Sequence, residues 1–229
     1  GPLPYVGGVA TMRVLILIGF LCSASCALAD DALWARIAQG GYVLLIRHAA
    51  TEAGTGDPPG FRIGDCATQR NLSAAGREEA RRLGEIFRLH GVPVAEVRSS
   101  PWCRCLDTAR LAFGRAMAWA PLSSLFNDPR NEAGQREAVI AYLRGAPAGG
   151  NVVLVTHNFN IRALVGISPL PGETVVARFA DGKLELVGRL PVAAGTSPDS
   201  ATALQTGSSF IRKGCCGNEQ LPVDAFFIN

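Results

Sequence analysis

Apolar and polar residues alternate along the chain in blocks that predict strands and helices in turn. Two continuous apolar runs, 42–48 and 151–157, are typical of parallel strands buried on both faces. Shorter segments predict further strands at 93–99, 116–122, 174–179 and 183–187, the last two flanking an Asp181-Gly182 turn. Helices are predicted at 31–39, from Ser73 to His90, and at 103–113, 131–144 and 158–165. The alternation predicts an α/β fold over residues 30–190, a three-layer sandwich around a mostly parallel central sheet.

Residues 49–70, between the first strand and the helix capped by Ser73, show no periodicity and are rich in glycine and proline. This composition predicts a long loop. Loops of such length without structure of their own are uncommon and are often functional.

Both ends of the chain differ from this domain. Residues 12–29 combine a positive start at Arg13, an apolar run and an Ala27-Leu28-Ala29 site, the three parts of a secretory signal peptide. The apolar run is too short to span a bilayer as a helix. We expect residues 1–29 to be upstream residues and a removable signal, with the mature protein exported to the periplasm or medium and no stable membrane anchor. Residues 191–229, rich in Ser, Thr, Gly and Ala, predict a flexible extension.

The composition excludes some classes of protein. Apolar residues make up 48% of the chain, which rules out chain-wide disorder. The 22 basic and 19 acidic side chains give a net charge of only +3, and no basic block extends beyond Arg81-Arg82. We therefore expect no nucleic acid partner.

Seven cysteines are present, of which five follow residue 29. In an oxidising compartment Cys66 would pair with Cys103 or Cys105, and the alternative is that these residues are small buried side chains. Zinc is disfavoured, because the Cys103-x-Cys105 pair lacks a second close cysteine pair or a nearby histidine. We expect no metal site.

Two of the three histidines, His48 and His157, directly follow the two long apolar strands. In open α/β sheets ligands bind at the carboxyl ends of strands, so both imidazoles would lie at that edge. Arg47 adjoins the first, and Arg104 is predicted in the first turn of a helix, where an anion is favoured. Two guanidiniums and two imidazoles suit a phosphate dianion, and a neutral imidazole can attack phosphorus. The pattern indicates phosphoryl transfer through a phosphohistidine, without choosing between the two histidines.

Four segments in the same order resemble the histidine phosphatase (phosphoglycerate mutase-like) superfamily: RHAAT at 47–51, LSAAGREEA at 72–80, SSPWCRCLDTA at 99–109 and TH at 156–157. The resemblance covers roughly residues 41–165. It implies that His48 is the nucleophile and becomes phosphorylated, and that Arg47, Arg104 and His157 bind the phosphoryl group. It also implies a small phosphorylated substrate and no metal or other cofactor.

The chain departs from the superfamily's pattern in the first loop. Ala49-Ala50 stand where glycine and an acidic residue are common, and Gly54 stands where an asparagine often helps to bind phosphate. We expect that contact to come from Arg62 or Asn160, or to be absent. Arg70 and Arg162 are further candidates for extending the positive pocket, although each is typical of an ordinary surface arginine.

The resemblance also calls for a general acid from the segment after the second arginine. Asp128 is the first candidate, Glu132 the second and Glu52 the third. An Asx turn is the structural alternative for Asp128, and a solvated first-turn charge for Glu132. In superfamily members without such an acid, water or the substrate supplies the proton.

The main hypothesis is an exported, metal-independent phosphomonoesterase that forms phospho-His48, with a cell-envelope phosphosugar as a specific candidate substrate. A phosphoglycerate mutase-type phosphotransferase is the alternative within the superfamily. A catalytically weak module that binds phosphate or a phosphoprotein is the alternative from another class.

Overall fold

The structure is a computed structural model that describes residues 31–126, 128–147 and 149–192. The predicted signal peptide and residues 193–229 of the predicted extension lie outside the described residues. Four of the seven cysteines also lie outside them: Cys22, Cys26, Cys215 and Cys216.

The described residues form a mixed sheet with helices. Its strands are β1 (Val43–Arg47), β2 (Val94–Ser99), β3 (Met117–Ala118), β4 (Asn151–Thr156), β5 (Thr174–Ala180) and β6 (Lys183–Leu190). The α-helical segments are α1 (31–37), α2 (Ala74–Leu89), α3 (Cys103–Phe113), α4 (Glu132–Arg144) and α5 (Asn158–Val165). Short 3₁₀ turns occupy Cys66–Thr68, Ala120–Leu122 and Pro129–Asn131.

The strand order is β3-β2-β4-β1-β5-β6. The first four are mutually parallel, whereas β5 and β6 are antiparallel to their neighbours. Alternate residues of β1 enter two separate apolar clusters: Leu44 and Ile46 pack with α1, α2 and α3, while Val43 and Leu45 pack with α4 and α5. Helices therefore cover both faces, which is why the β1 and β4 sequences are continuously apolar. The predicted three-layer α/β architecture is confirmed.

The region predicted as a strand at 116–122 is different in the structure. Only Met117 and Ala118 pair with β2, and Ala120–Leu122 form a 3₁₀ turn. Pro121 lacks the N–H that a continuing strand needs, and its fixed φ suits the turn. The predicted hairpin is present, and Asp181 and Gly182 both have positive φ, as a two-residue hairpin of type I′ requires.

Within the described ranges, no helix has the length and apolarity that a membrane crossing requires.

Candidate active site

The carboxyl ends of β1 and β4 bring the two strand-terminal histidines together. Arg47 lies opposite Thr156 in the parallel pair, and the His48 amide donates to the Thr156 carbonyl at 3.0 Å. The imidazole centroids are 5.5 Å apart, with the ring planes at 68°. His48 is 5% exposed and His157 is 4% exposed. Adjacent parallel strands thus place both rings at one edge of the sheet.

His48 is held as a neutral nucleophile. Its Nδ1 lies 2.9 Å from the Ala49 carbonyl oxygen, which can only accept, so Nδ1 carries the proton and Nε2 keeps its lone pair. Burial lowers the pKa of His48 to about 3, assisted by the charges of Arg104, Arg47 and Arg70 and opposed by the bond to Ala49. A neutral imidazole with a free Nε2 lone pair is the form that can attack phosphorus.

His157 is held by a second set of contacts. Its Nε2 is hydrogen bonded to the Ser100 hydroxyl at 2.8 Å, and the Cys105 sulfur lies 3.6 Å from the same nitrogen. Burial, followed by the nearby His48 and Arg104, lowers the pKa of His157 well below its ordinary value. Burial also raises the pKa of Cys105 to about 12, so this residue is a thiol and not a thiolate.

Arg104 lies in the first turn of α3, as predicted, and its partner is a residue that the sequence did not point to. Its guanidinium donates to both carboxylate oxygens of Asp57, at 2.7 and 3.3 Å. The Trp102 indole and the Arg70 amide also donate to Asp57, at 2.9 and 3.0 Å. Neither charged side chain is exposed by more than 4%. Burial alone would raise the pKa of Asp57, but Arg104 holds it below its usual value, so the pair is ionic.

Asp57 was missed because it stands in a Gly-Asp-Pro-Pro-Gly segment of the 49–70 loop that reads as a turn. Its partner Arg104 is 47 positions away in the chain. Periodicity says nothing about a contact between a loop and a helix at that distance, so a paired carboxylate at this point could not be distinguished from an ordinary turn residue.

Arg47 and Arg70 complete the positive side of the site. Arg47 donates to the Pro169 carbonyl at 2.8 Å, and burial followed by the Arg70 charge lowers its pKa. Arg70 donates from Nη1 to the Thr51 hydroxyl at 2.8 Å and to the Gly54 carbonyl at 2.7 Å. With both histidines neutral, three guanidiniums and the Asp57 carboxylate leave two net positive charges, which matches a phosphate dianion.

Residues of the LSAAG and SSPWCRCLDTA segments fix the backbone that follows His48. The Thr108 hydroxyl accepts from the Ala49 amide at 3.1 Å and donates to the Arg104 carbonyl at 2.7 Å. Gly76 packs so closely that a Cβ would lie 1.8 Å from the Ala50 carbonyl oxygen. These contacts join the nucleophile's loop to α2 and α3.

A disulfide links Cys66 to Cys103, one of the two pairings that the sequence left open. The Gln69 side chain accepts from the Cys103 amide at 3.0 Å beside it. The end of the 49–70 loop is therefore fastened to the first residue of α3, next to Arg104. Cys105 is a buried free thiol. Among the described residues, no group of three or more His, Cys, Asp or Glu side chains could hold a metal ion.

The structure argues against Asp128 as general acid. The side chain accepts hydrogen bonds from Arg130 and from Asn131, at 2.9 and 3.1 Å, near the protein surface. Bonds from Arg130 lower the pKa of Asp128, whereas a general acid needs a raised pKa. Glu132 and Glu52, the other two candidates, are also exposed.

The residues expected to supply additional phosphate contacts have other partners in the structure. Arg62 is an exposed side chain, 69% accessible, in an ion pair with Asp65. The Asn160 amide donates to the Ser123 carbonyl and to the Gln135 side chain, so both of its N–H groups are used. Arg162 is exposed and lies over the Phe159 ring.

Residues 43–124 match the family model of the histidine phosphatase superfamily, branch 1. This segment contains β1, His48, the 49–70 loop, Arg104 and α3. Over these residues the chain is similar to the histidine phosphatase superfamily.

Three solved structures have the same fold as this chain. The product of open reading frame Rv3214 from Mycobacterium tuberculosis has 17% identity and a TM-score of 0.51, covering 67% of this chain and 98% of its own. A protein assigned as an alpha-ribazole-5'-P phosphatase from Escherichia coli has 19% identity and a TM-score of 0.50, covering 69% and 100%. A mycobacterial hydrolase has 16% identity and a TM-score of 0.50, covering 73% and 97%. No curated protein matches the chain.

Proposed function

We propose that this protein is a phosphomonoesterase that forms a covalent phosphohistidine on Nε2 of His48. The observation that carries the proposal is the state of His48, which is buried and neutral. Its Nδ1–H donates to the Ala49 carbonyl, and the charges of three guanidiniums act on the ring. The match of residues 43–124 to the superfamily, whose members are phosphatases and mutases, supports the same reaction class.

In the first step the Nε2 lone pair attacks phosphorus, an N–P bond forms, and the P–O bond to the leaving group breaks. The guanidiniums of Arg47 and Arg104 stabilise the charge on the phosphoryl oxygens. In the second step water attacks the phosphorus of phospho-His48, the N–P bond breaks, and inorganic phosphate and neutral His48 are released.

The source of the proton for the leaving group determines which substrates should react fastest. Glu132 and Glu52 are exposed, Asp128 is partly exposed and paired with Arg130, and the buried Asp57 is bonded to Arg104. The proposal therefore assigns the proton to water or to the substrate, so leaving groups of low pKa, such as phenolates, should react faster than alkoxides. General acid catalysis contributes about 10²–10⁴ in rate where it operates, which sets the scale of that preference.

The test is hydrolysis of an aryl phosphate by the purified protein and by His48→Ala, with His90→Gln as the matched control. His90 caps α2 and stacks on Trp34, with ring centroids 4.3 Å apart. We expect His48→Ala to lose activity by about 10³-fold or more and His90→Gln to retain it. Full hydrolysis by His48→Ala would refute the proposal. Stable phosphorylation of His48 without turnover would instead favour the phosphate-binding module. Transfer of the phosphoryl group to a second hydroxyl would favour the mutase.

Export is part of the proposal. The Cys66–Cys103 disulfide supports it, since structural disulfides form mainly in oxidising compartments. A phosphorylated cell-envelope sugar is then the candidate substrate. Cell fractionation tests export: recovery of the protein, cleaved after Ala29, outside the cytoplasm is expected, and retention of the uncleaved chain in the cytoplasm would refute it.

A further inference from the structure

The 49–70 loop ends with Arg70, a residue of the positive side of the site to which the two reaction steps above assign no contact with the substrate. Arg70 is partly buried, and the positive charges of Arg70, Arg47 and Arg104 all act on His48. The Nε atoms of these three arginines are buried, and none has a hydrogen-bond partner within the described part of the chain. A buried N–H without an acceptor is costly, so three of them around one nucleophile indicate a site built for an anion.

Resting on the proposed function, we infer that Arg70 is a third phosphate-binding arginine, which supplies a charge-assisted contact to the phosphoryl group of the substrate. Its chemistry is that of Arg47 and Arg104: a planar, permanently charged donor suited to phosphate oxygens.

The contacts of Arg70 hold it in place for this role. Nη1 is fixed by the Thr51 hydroxyl and the Gly54 carbonyl, both in the loop that follows His48. Its backbone is fixed from the other side, because the Arg70 amide donates to Asp57 and the Arg70 carbonyl lies 3.4 Å from Nη1 of Arg104. The side chain thus uses one nitrogen, Nη1, for positioning, and both Nη2 and Nε are left without a protein acceptor within the described residues.

The charges around Arg70 are consistent with this assignment. Asp57 is bonded through its carboxylate to Arg104 and Trp102, and its hydrogen bond from Arg70 comes from the backbone amide, although the Asp57 charge also acts on the Arg70 guanidinium, where it opposes the lowering of the pKa by burial. The Arg70 guanidinium therefore lacks a side-chain carboxylate partner within the described ranges, unlike Arg62 of the same loop, which pairs with Asp65. A phosphate dianion would provide the missing negative charge.

The test is equilibrium binding of inorganic phosphate, measured by calorimetry on the full chain at constant ionic strength. The variants are Arg70→Gln, Arg70→Lys and the matched control Arg62→Gln, which removes an exposed arginine of the same loop. A charge-assisted hydrogen bond corresponds to a roughly ten- to hundredfold change in affinity. We expect Arg70→Gln to weaken phosphate binding by that factor. In the hydrolysis of an aryl phosphate, KM should rise by a larger factor than that by which kcat falls. Arg62→Gln should stay within about twofold of wild type.

If Arg70 only positioned its neighbours, neither added guanidinium ion nor lysine would restore phosphate binding. If Arg70 contacts phosphate, added guanidinium ion, at concentrations that do not denature the protein, should partly restore phosphate binding to Arg70→Gln, and Arg70→Lys should keep an intermediate affinity. Unchanged phosphate binding in Arg70→Gln would overturn the inference, as would a loss that neither guanidinium nor lysine restores. Because phosphate binding needs no turnover, full hydrolysis by His48→Ala together with Arg70-dependent binding would refute the proposed nucleophile alone.

Discussion

At low pH, the neutral fraction of His48 should differ from that of a histidine with the ordinary pKa. At pH 5 an imidazole with the usual pKa of about 6.5 would be about 3% neutral. Because burial lowers the pKa of His48 to about 3, it should be about 99% neutral at the same pH. The difference in the population of the competent nucleophile is therefore about thirtyfold.

Nitrogen-15 NMR of labelled histidine measures this population without interference from the ionisation of the substrate. The chain has only three histidines, so the spectra of His48→Gln and His157→Gln assign the two buried rings. We expect the His48 signals to stay neutral from pH 8 to about 4.5, with the proton on Nδ1 because that atom donates to the Ala49 carbonyl. A midpoint between pH 6 and 7, or a proton on Nε2, would refute the assignment of His48 as a pre-formed neutral nucleophile.

The same lowered pKa makes a prediction about stability. Between pH 6.5 and about 3 the unfolded chain binds a proton at this position that the folded chain does not, so stability falls as the pH is lowered through this window. The contribution of His48 is at most about 5 kcal/mol. In denaturant unfolding, the free energy of unfolding of His48→Gln should fall less on acidification than that of the wild type. An identical pH dependence of the two proteins would contradict the linkage.

Three further results are expected. Reducing the Cys66–Cys103 bridge, which closes a loop of sequence separation 37, should lower the free energy of unfolding by about 4 kcal/mol in chemical denaturation; an unchanged midpoint would contradict this. Asp128→Asn should keep aryl phosphatase activity within about threefold of wild type, because this carboxylate is partly exposed and paired with Arg130, and a loss of about 10²-fold would restore Asp128 as the acid. Gly76→Ala should destabilise the protein by about 3 kcal/mol or more in thermal unfolding, since its Cβ would meet the Ala50 carbonyl, whereas a neutral effect would show that α2 shifts freely.

Local pattern predicts those parts of the fold that local physics determines. The β1 and β4 runs are apolar because helices bury both faces, and that same pattern places His48 and His157 at the carboxyl edge of the sheet. α3 and α5 occupy the predicted positions, Cys103–Phe113 and Asn158–Val165. These two helices end at glycines with positive φ, Gly114 and Gly166, a stop signal that is visible in sequence.

Charge pairing between a loop and a distant helix is not visible in the same way. Asp57 and Arg70 stand in a segment without periodicity, and their functions depend on contacts with Arg104 and with the backbone after His48. Asp128 has the position expected of an acid, but Arg130 and Asn131, two and three residues later, donate hydrogen bonds to its carboxylate. For Asp57 and for Asp128, the hydrogen-bond partner of the carboxylate decides its protonation state and hence its chemistry. Sequence alone does not specify that partner.

The disulfide and the ion pair explain how a loop of this length can serve a rigid site. Asp57 and Arg70 must hold fixed positions relative to Arg104, yet Cys66–Thr68 is the only helical turn among residues 49–70 that the structure describes. The Cys66–Cys103 bond fastens the loop one residue before Arg104, and the buried Asp57 carboxylate fastens it again on the Arg104 side chain. Breaking a buried ion pair costs about 3–5 kcal/mol, comparable with the contribution of the bridge. Covalent and ionic links therefore replace the hydrogen-bonded secondary structure that would otherwise hold these residues in place.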